Sequence, residues 1–243
     1  MPMHLVLWDI DGTLIRSRGG KVSTTAFVRA IREAARIERE LIYPSDVAGK
    51  TDNQIALEML TALELDDEMA QNAIQAFGVS YLREMSGDPQ KLTADLRVLP
   101  GVVEALERLR DLDVCQSLLT GNLEPVARLK LACAGLDKYF AFELGAYGSD
   151  HADRTCLVPI TRDRVRRATG AEPERVVVIG DTPRDIACAR AGGARVVAVA
   201  TGNYSREELE AHKPDAVLDD LIDTDAVESA LLGYSTEKQA PIV

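Results

Sequence analysis

Four short apolar runs decide most of what this chain can fold into: Leu5 to Trp8, Val114 to Leu119, Val176 to Ile179 and Val196 to Val199. Each is near-continuous rather than alternating, and each closes on a polar turn. A strand with one face in water alternates apolar and polar side chains; a strand covered on both faces does not. A weaker run, Ala216 to Leu218, extends the set. Between the runs lie helical patterns over residues 101–112, 125–133, 159–169 and 183–191, with proline near their starts and glycine just past three of their ends. Strand and helix in alternation predict an α/β fold, a doubly wound parallel sheet.

One stretch breaks the alternation. Residues 21–93 hold three amphipathic patterns, Ala26 to Leu41, Asn53 to Leu63 and Glu68 to Met85, and no convincing strand. Gly19-Gly20 stands at the start of this block and Gly87-Asp88-Pro89 near its end. The expected organisation is an α/β core over residues 1–18 and 94–234, an inserted helical cap over 19–93 that moves against it, and a frayed tail over 235–243.

The formal net charge of −11 disfavours nucleic acid and anionic membrane as partners. It also means that a site for a phosphate ester has to reverse the sign of the field locally. The four cysteines, Cys115, Cys133, Cys156 and Cys188, are widely spaced and form no CxxC pair, which suits a reducing, cytoplasmic compartment. His4, His151 and His212 lack metal-ligand spacing.

The chemistry gathers where the runs end. The first closes on Asp9-Ile10-Asp11-Gly12-Thr13, the second on Thr120-Gly121-Asn122, and the third on Gly180-Asp181-Thr182-Pro183-Arg184-Asp185. Ligands of open α/β sheets bind at the carboxyl ends of the strands, so these turns share one edge. Clustered carboxylates there call for compensation, and a hard divalent cation such as Mg²⁺ supplies it.

These residues resemble the haloacid dehalogenase-like hydrolases: Asp9-x-Asp11-Gly12-Thr13, Thr120 after an apolar strand, and Gly180-Asp181-x-x-x-Asp185, with the helical insertion where one branch of that family carries its cap. Within the family the chain looks most like phosphoglycolate phosphatase-type enzymes. The resemblance implies a Mg²⁺-dependent phosphohydrolase acting on a small-molecule phosphate ester. Asp9 is then the nucleophile, forming an aspartyl-phosphate, and Asp11 the general acid and base. Asp9, the backbone carbonyl of Asp11, and Asp181 hold the metal, while Asp185 holds its water or orients the second shell. Thr120, with the amides around Gly121 and Asn122, binds phosphoryl oxygens. Asp11 also points to esters rather than halides, because a leaving alkoxide needs a proton.

The chain departs from that family at one place. The usual lysine position falls on Cys156 with no lysine near, so the role passes to Arg154, with Arg162 second. Lys50 and Thr51, in Gly49-Lys50-Thr51-Asp52, are candidates for the non-reacting end of the substrate, although Thr51 or Asp52 would equally serve as a plain helix cap. Two rivals stay open: a phosphomutase of the β-phosphoglucomutase type using the same acids, and a non-enzymatic phospho-acceptor module.

Overall fold

The computed structural model describes residues 4–19, 21–112 and 114–233. Gly20 and the tail expected over 235–243 lie outside them.

The first run forms β1 (His4–Trp8), followed after the Asp9–Thr13 turn by the short β2 (Ile15–Ser17). Four helices come next: α1 (Val22–Ala34), α2 (Asp52–Thr61), α3 (Asp67–Ser86) and α4 (Pro89–Asp95). The chain then returns through β3 (Leu96–Val98) and α5 (Val102–Arg110) to β4 (Val114–Thr120) and α6 (Glu124–Ala134). The remainder alternates: β5 (Ala146–Tyr147), α7 (Leu157–Thr169), β6 (Arg175–Gly180), α8 (Pro183–Ala191), β7 (Arg195–Val199), α9 (Arg206–Ala211), β8 (Ala216–Leu218) and α10 (Thr224–Leu232).

The main sheet has the order β5-β4-β1-β6-β7-β8, and every pairing in it is parallel. β1 lies in its interior between β4 and β6, with Trp8 level with both Leu118 and Ile179. That register brings Asp9, Thr120 and Asp181 to one edge. Leu5, Leu7, Trp8, Val178 and Val196 are fully buried or nearly so, as the unbroken apolar runs require. The core on one side of the sheet continues into the helical insertion, where Phe27, Phe77 and Tyr81 meet with ring centroids 4.7–5.5 Å apart.

Three details differ from the expectation. The first insertion helix ends at Ala34 rather than Leu41, because Arg36 adopts φ 54° and turns the chain toward the loop that reaches the sheet edge. The antiparallel pair β2–β3 and the two-residue β5 escaped notice, being too short to carry a periodic pattern. α4 was also missed; it starts on an Asp88 cap with Pro89 at its first position.

The aromatic trio predicts a measurable weakness. Phe77→Ala removes its central, fully buried ring and should destabilise the chain by roughly 3–5 kcal/mol in equilibrium denaturation.

Candidate active site

The turn after β1 is shaped to present acids. The amide of Asp9 donates to the Ile179 carbonyl at 2.8 Å, continuing the sheet one residue beyond the strand. The chain then curls back, with the Gly12 amide bonded to the Ile15 carbonyl. Gly12 has φ +93°, and a Cβ there would lie 2.3 Å from the Asp181 carboxylate, so only glycine fits. Gly202 approaches the same carboxylate from the other side, where a Cβ would lie 1.7 Å away. Two backbones thus press on Asp181, and Thr13 Oγ1 donates to it at 3.2 Å.

Asp9, Asp181 and Asp185 converge. Each offers a carboxylate oxygen, and these oxygens all lie within 4.8 Å of one another, buried. Burial, then the neighbouring Asp9 and Asp185, push the Asp181 carboxyl well above the ordinary carboxylate range. Burial also lifts Asp9 to about 7; Arg154 pulls against it while Asp185 and Asp11 add to the rise. Three buried acids with one bonded arginine leave negative charge uncompensated. An all-oxygen donor set of this kind fits a hard divalent cation.

Arg154 is the protein's own counter-charge. It is 5% exposed and donates from Nη2 to Asp9 Oδ1 at 3.0 Å and also to Asp185 Oδ1. Its Nη1 reaches the Gly49 carbonyl of the insertion at 3.1 Å. Asp185 closes a capping box on α8: its Oδ2 accepts from the Thr182 amide at 3.0 Å and the Thr182 hydroxyl at 2.6 Å. Both Asp185 oxygens are therefore engaged by protein donors, which makes it a clamp on Arg154.

Asp11 has a different setting. Its side chain is 50% exposed to the cleft, and its Oδ2 accepts from Lys130 Nζ at 2.7 Å and Asn122 Nδ2 at 2.8 Å. Partial burial works against ionisation, but the Lys130 ammonium outweighs it and the carboxyl sits below its ordinary value. Lys130 Nζ also donates to Asn122 Oδ1 at 2.6 Å, and Asn122 Nδ2 to Thr120 Oγ1 at 2.9 Å. Thr120, Asn122, Lys130 and Asp11 form one network.

A family model described as haloacid dehalogenase-like hydrolase matches residues 3–193. The chain belongs to this family. It is 26% identical over 240 residues to a Dickeya dadantii protein named Probable phosphatase IndB, covering 96% of each chain. It is 25% identical over 229 residues to a phosphoglycolate phosphatase of Pseudomonas putida, covering 90% of this chain and 77% of that one. Among solved structures, the fold matches CbbY from Rhodobacter sphaeroides in complex with phosphate at a TM-score of 0.63. That pair shares 17% identity, over 91% of this chain and 96% of the other.

Against that family background, the structure puts most of the expected residues around one cavity of about 330 Å³ between the sheet edge and the helical insertion. Asp9, Asp11, Thr120, Gly121, Asn122, Arg154, Asp181 and Lys50 line it. Arg162 does not; its guanidinium donates to the Gly193 carbonyl at 3.2 Å. Thr51 is occupied structurally. Its hydroxyl caps α2 by accepting from the Gln54 amide, and it donates to the Ala152 carbonyl at 2.6 Å. Lys50 is held by Glu58 at 2.8 Å and Asp46 at 3.6 Å.

Sequence reasoning missed Lys130, Tyr43 and Tyr81. Lys130 had a signal: it falls on the buried stripe of α6 with Val126, Ala127 and Leu131, where a lone lysine needs a partner. The tyrosines had none, because their neighbours in space are remote in the chain. Asp52 was read as a possible cap. It is instead buried with its Oδ2 accepting from the Leu123 amide at 2.9 Å, across the seam between insertion and sheet.

Two outcomes are expected. Mg²⁺ should raise the melting temperature of the wild type with concentration, by the equivalent of about 2.7 kcal/mol at a hundredfold excess over its Kd, and Asp181→Asn should abolish the response. Burial, opposed by Lys130, lifts the Asp52 carboxyl from 3.8 to about 6, so folding favours its protonated form. The stability this gives is complete below pH 4 and lost as pH rises through 6. Asp52→Asn should therefore gain on the wild type between pH 4 and 7, by up to roughly 3 kcal/mol in denaturation at each pH.

Proposed function

We propose that this chain is a Mg²⁺-dependent phosphohydrolase that cleaves small-molecule phosphate monoesters through a phosphoryl group carried briefly on Asp9. The observation that carries the reading is the convergence of Asp9, Asp181 and Asp185 beside Arg154, next to an independently held acid at Asp11.

Asp9 is the nucleophile. Arg154 holds its Oδ1, which fixes the rotamer and aims the other oxygen at the cleft. Asp9, the Asp11 carbonyl and Asp181 are the groups that would hold Mg²⁺, with Asp185 acting through Arg154 and Thr182. When bound, the cation neutralises charge on the phosphoryl oxygens and on the acid cluster. Arg154 adds a fixed positive charge at the same point, in the place where the family normally uses lysine. Thr120 and the Gly121 turn line the same cavity, where they would hydrogen-bond the phosphoryl oxygens.

Asp11 is placed to move protons, with Lys130 favouring its ionised form. Protonated, it gives its proton to the departing alkoxide; ionised, it takes one from the water that then attacks the Asp9 phosphoryl group. Lys130 and Asn122 both bind its Oδ2, leaving Oδ1 toward the cleft. The insertion seats on the sheet edge through Gly49, Thr51 and Asp52, so it covers the reacting groups and limits water. We read it as a cap on this basis.

Release of phosphate from p-nitrophenyl phosphate with Mg²⁺ tests the reading. Asp9→Asn should lose at least about 10⁴ in kcat while still unfolding in one cooperative transition. Arg154→Ala should lose about 10²–10³, with partial recovery in Arg154→Lys. Transfer to a sugar hydroxyl instead of phosphate release would favour the mutase.

A further inference from the structure

The cavity has two ends of different chemistry. At the sheet edge are the acids, Arg154 and Thr120; across from them, the insertion contributes Ser23, Thr24, Tyr43, Lys50, Asp52 and Tyr81. Lys50 is the insertion's single cation on this lining, and Glu58 and Asp46 already neutralise it. Arg154 and Lys130 are bonded to Asp9, Asp185 and Asp11. Arg16, the last cation on the lining, donates to the Thr201 and Gly202 carbonyls and to Asn203, on the Asp181 side of the cavity.

The insertion wall is accordingly short of positive charge and rich in oxygen. Asp52 is 9% exposed, and its Oδ2 is used by the Leu123 amide, leaving Oδ1 without a hydrogen bond among the described residues. The hydroxyls of Ser23, Thr24, Tyr43 and Tyr81 likewise have no bonded partner among the described residues, although Tyr81 is only 2% exposed. These groups line the cavity, three of them half-buried, and their unused hydrogen-bonding capacity is open to whatever enters it. A substrate tail bearing hydroxyl or ammonium groups would take it up. A tail ending in a carboxylate would meet Asp52, whereas the one lining cation without a carboxylate partner among the described residues, Arg16, is held by Thr201, Gly202 and Asn203 on the Asp181 side.

We propose that Asp52, Tyr43 and Tyr81, with Ser23 and Thr24 beside them, select phosphate esters whose far end donates hydrogen bonds, as polyol and amino-alcohol phosphates do, and reject esters ending in a carboxylate. The proposal rests on the phosphohydrolase reading and specifies its substrate class. On this reading the wall built by the insertion sets the tail. The cavity volume, at the small end for ligand sites, suits a tail of a few carbons.

Two measurements test this. The first compares kcat/KM for glycerol phosphate, phosphoethanolamine and phosphoglycolate with Mg²⁺. At least one of the first two should exceed phosphoglycolate by about tenfold or more. The ratio should collapse in Asp52→Asn, mainly through KM, and shrink in Tyr81→Phe, which keeps the proposal falsifiable if the Asp52 variant does not fold. The second measures binding of the same esters to Asp9→Asn by calorimetry, where the same order should appear without turnover. A preference for phosphoglycolate, or a ratio unmoved in folded Asp52→Asn and Tyr81→Phe, overturns the proposal. Failure of the wild type to hydrolyse any ester, with the binding order intact, would instead sink the phosphohydrolase reading and leave the selectivity standing.

Discussion

The buried contact between Arg154 and the pair Asp9–Asp185 is what the rest of the site depends on. A parallel sheet whose strands are covered on both faces can place charge only at its ends, and here three carboxylates arrive at one end together. Alone they would repel one another in a poorly solvated place. Arg154 offsets part of that repulsion, and the Thr182 capping box locks Asp185 so that the arginine has one orientation. The negative charge that remains uncompensated is of the kind a divalent cation would offset.

The same arginine ties the chemistry to the covering layer. Its Nη1 bond to Gly49 belongs to a seam made mostly of backbone: the Asp52 amide donates to the Gly121 carbonyl at 2.7 Å, and the Leu123 amide returns a bond to Asp52. A Cβ on Gly121 would lie 2.2 Å from the Lys50 carbonyl, so the two layers meet as closely as main chains allow. This proximity lets residues of the insertion share a cavity with Asp9. The sheet edge contributes the acids and Arg154 to that cavity, and the insertion contributes Ser23, Thr24, Tyr43, Asp52 and Tyr81.

Asp11 and Asp9 show how two acids one residue apart acquire opposite characters. Asp9 is enclosed and its carboxyl is lifted toward 7, whereas Asp11 opens to the cleft and is held down by Lys130. The separation comes from their neighbours, since both lie in one turn.

The parallel strands covered on both faces, the run of helices after the first of them and the acids that follow the strands were legible in the sequence, because each is a local matter, whereas the strand order was not. An unbroken apolar run means a strand covered on both sides, and a polar turn after it means the sheet edge. The family's lysine spacing falls on Cys156, and Arg154 was named as the nearest cation in its stead, with Arg162 second; in space it is Arg154 that meets Asp9. Other facts depended on contacts between distant segments. Lys130 meets Asp11 across 119 residues, and Arg154 meets Asp9 across 145. Thr51 had two readings in the sequence, and the Ala152 carbonyl and the α2 amide took its hydroxyl for structure. The sequence by itself determined which residues carry charge and which edge they reach, because periodicity and turn chemistry act over a few residues. Only the tertiary structure decided which charges are paired and which side chains remain free to meet a ligand, because compensation depends on distance in space.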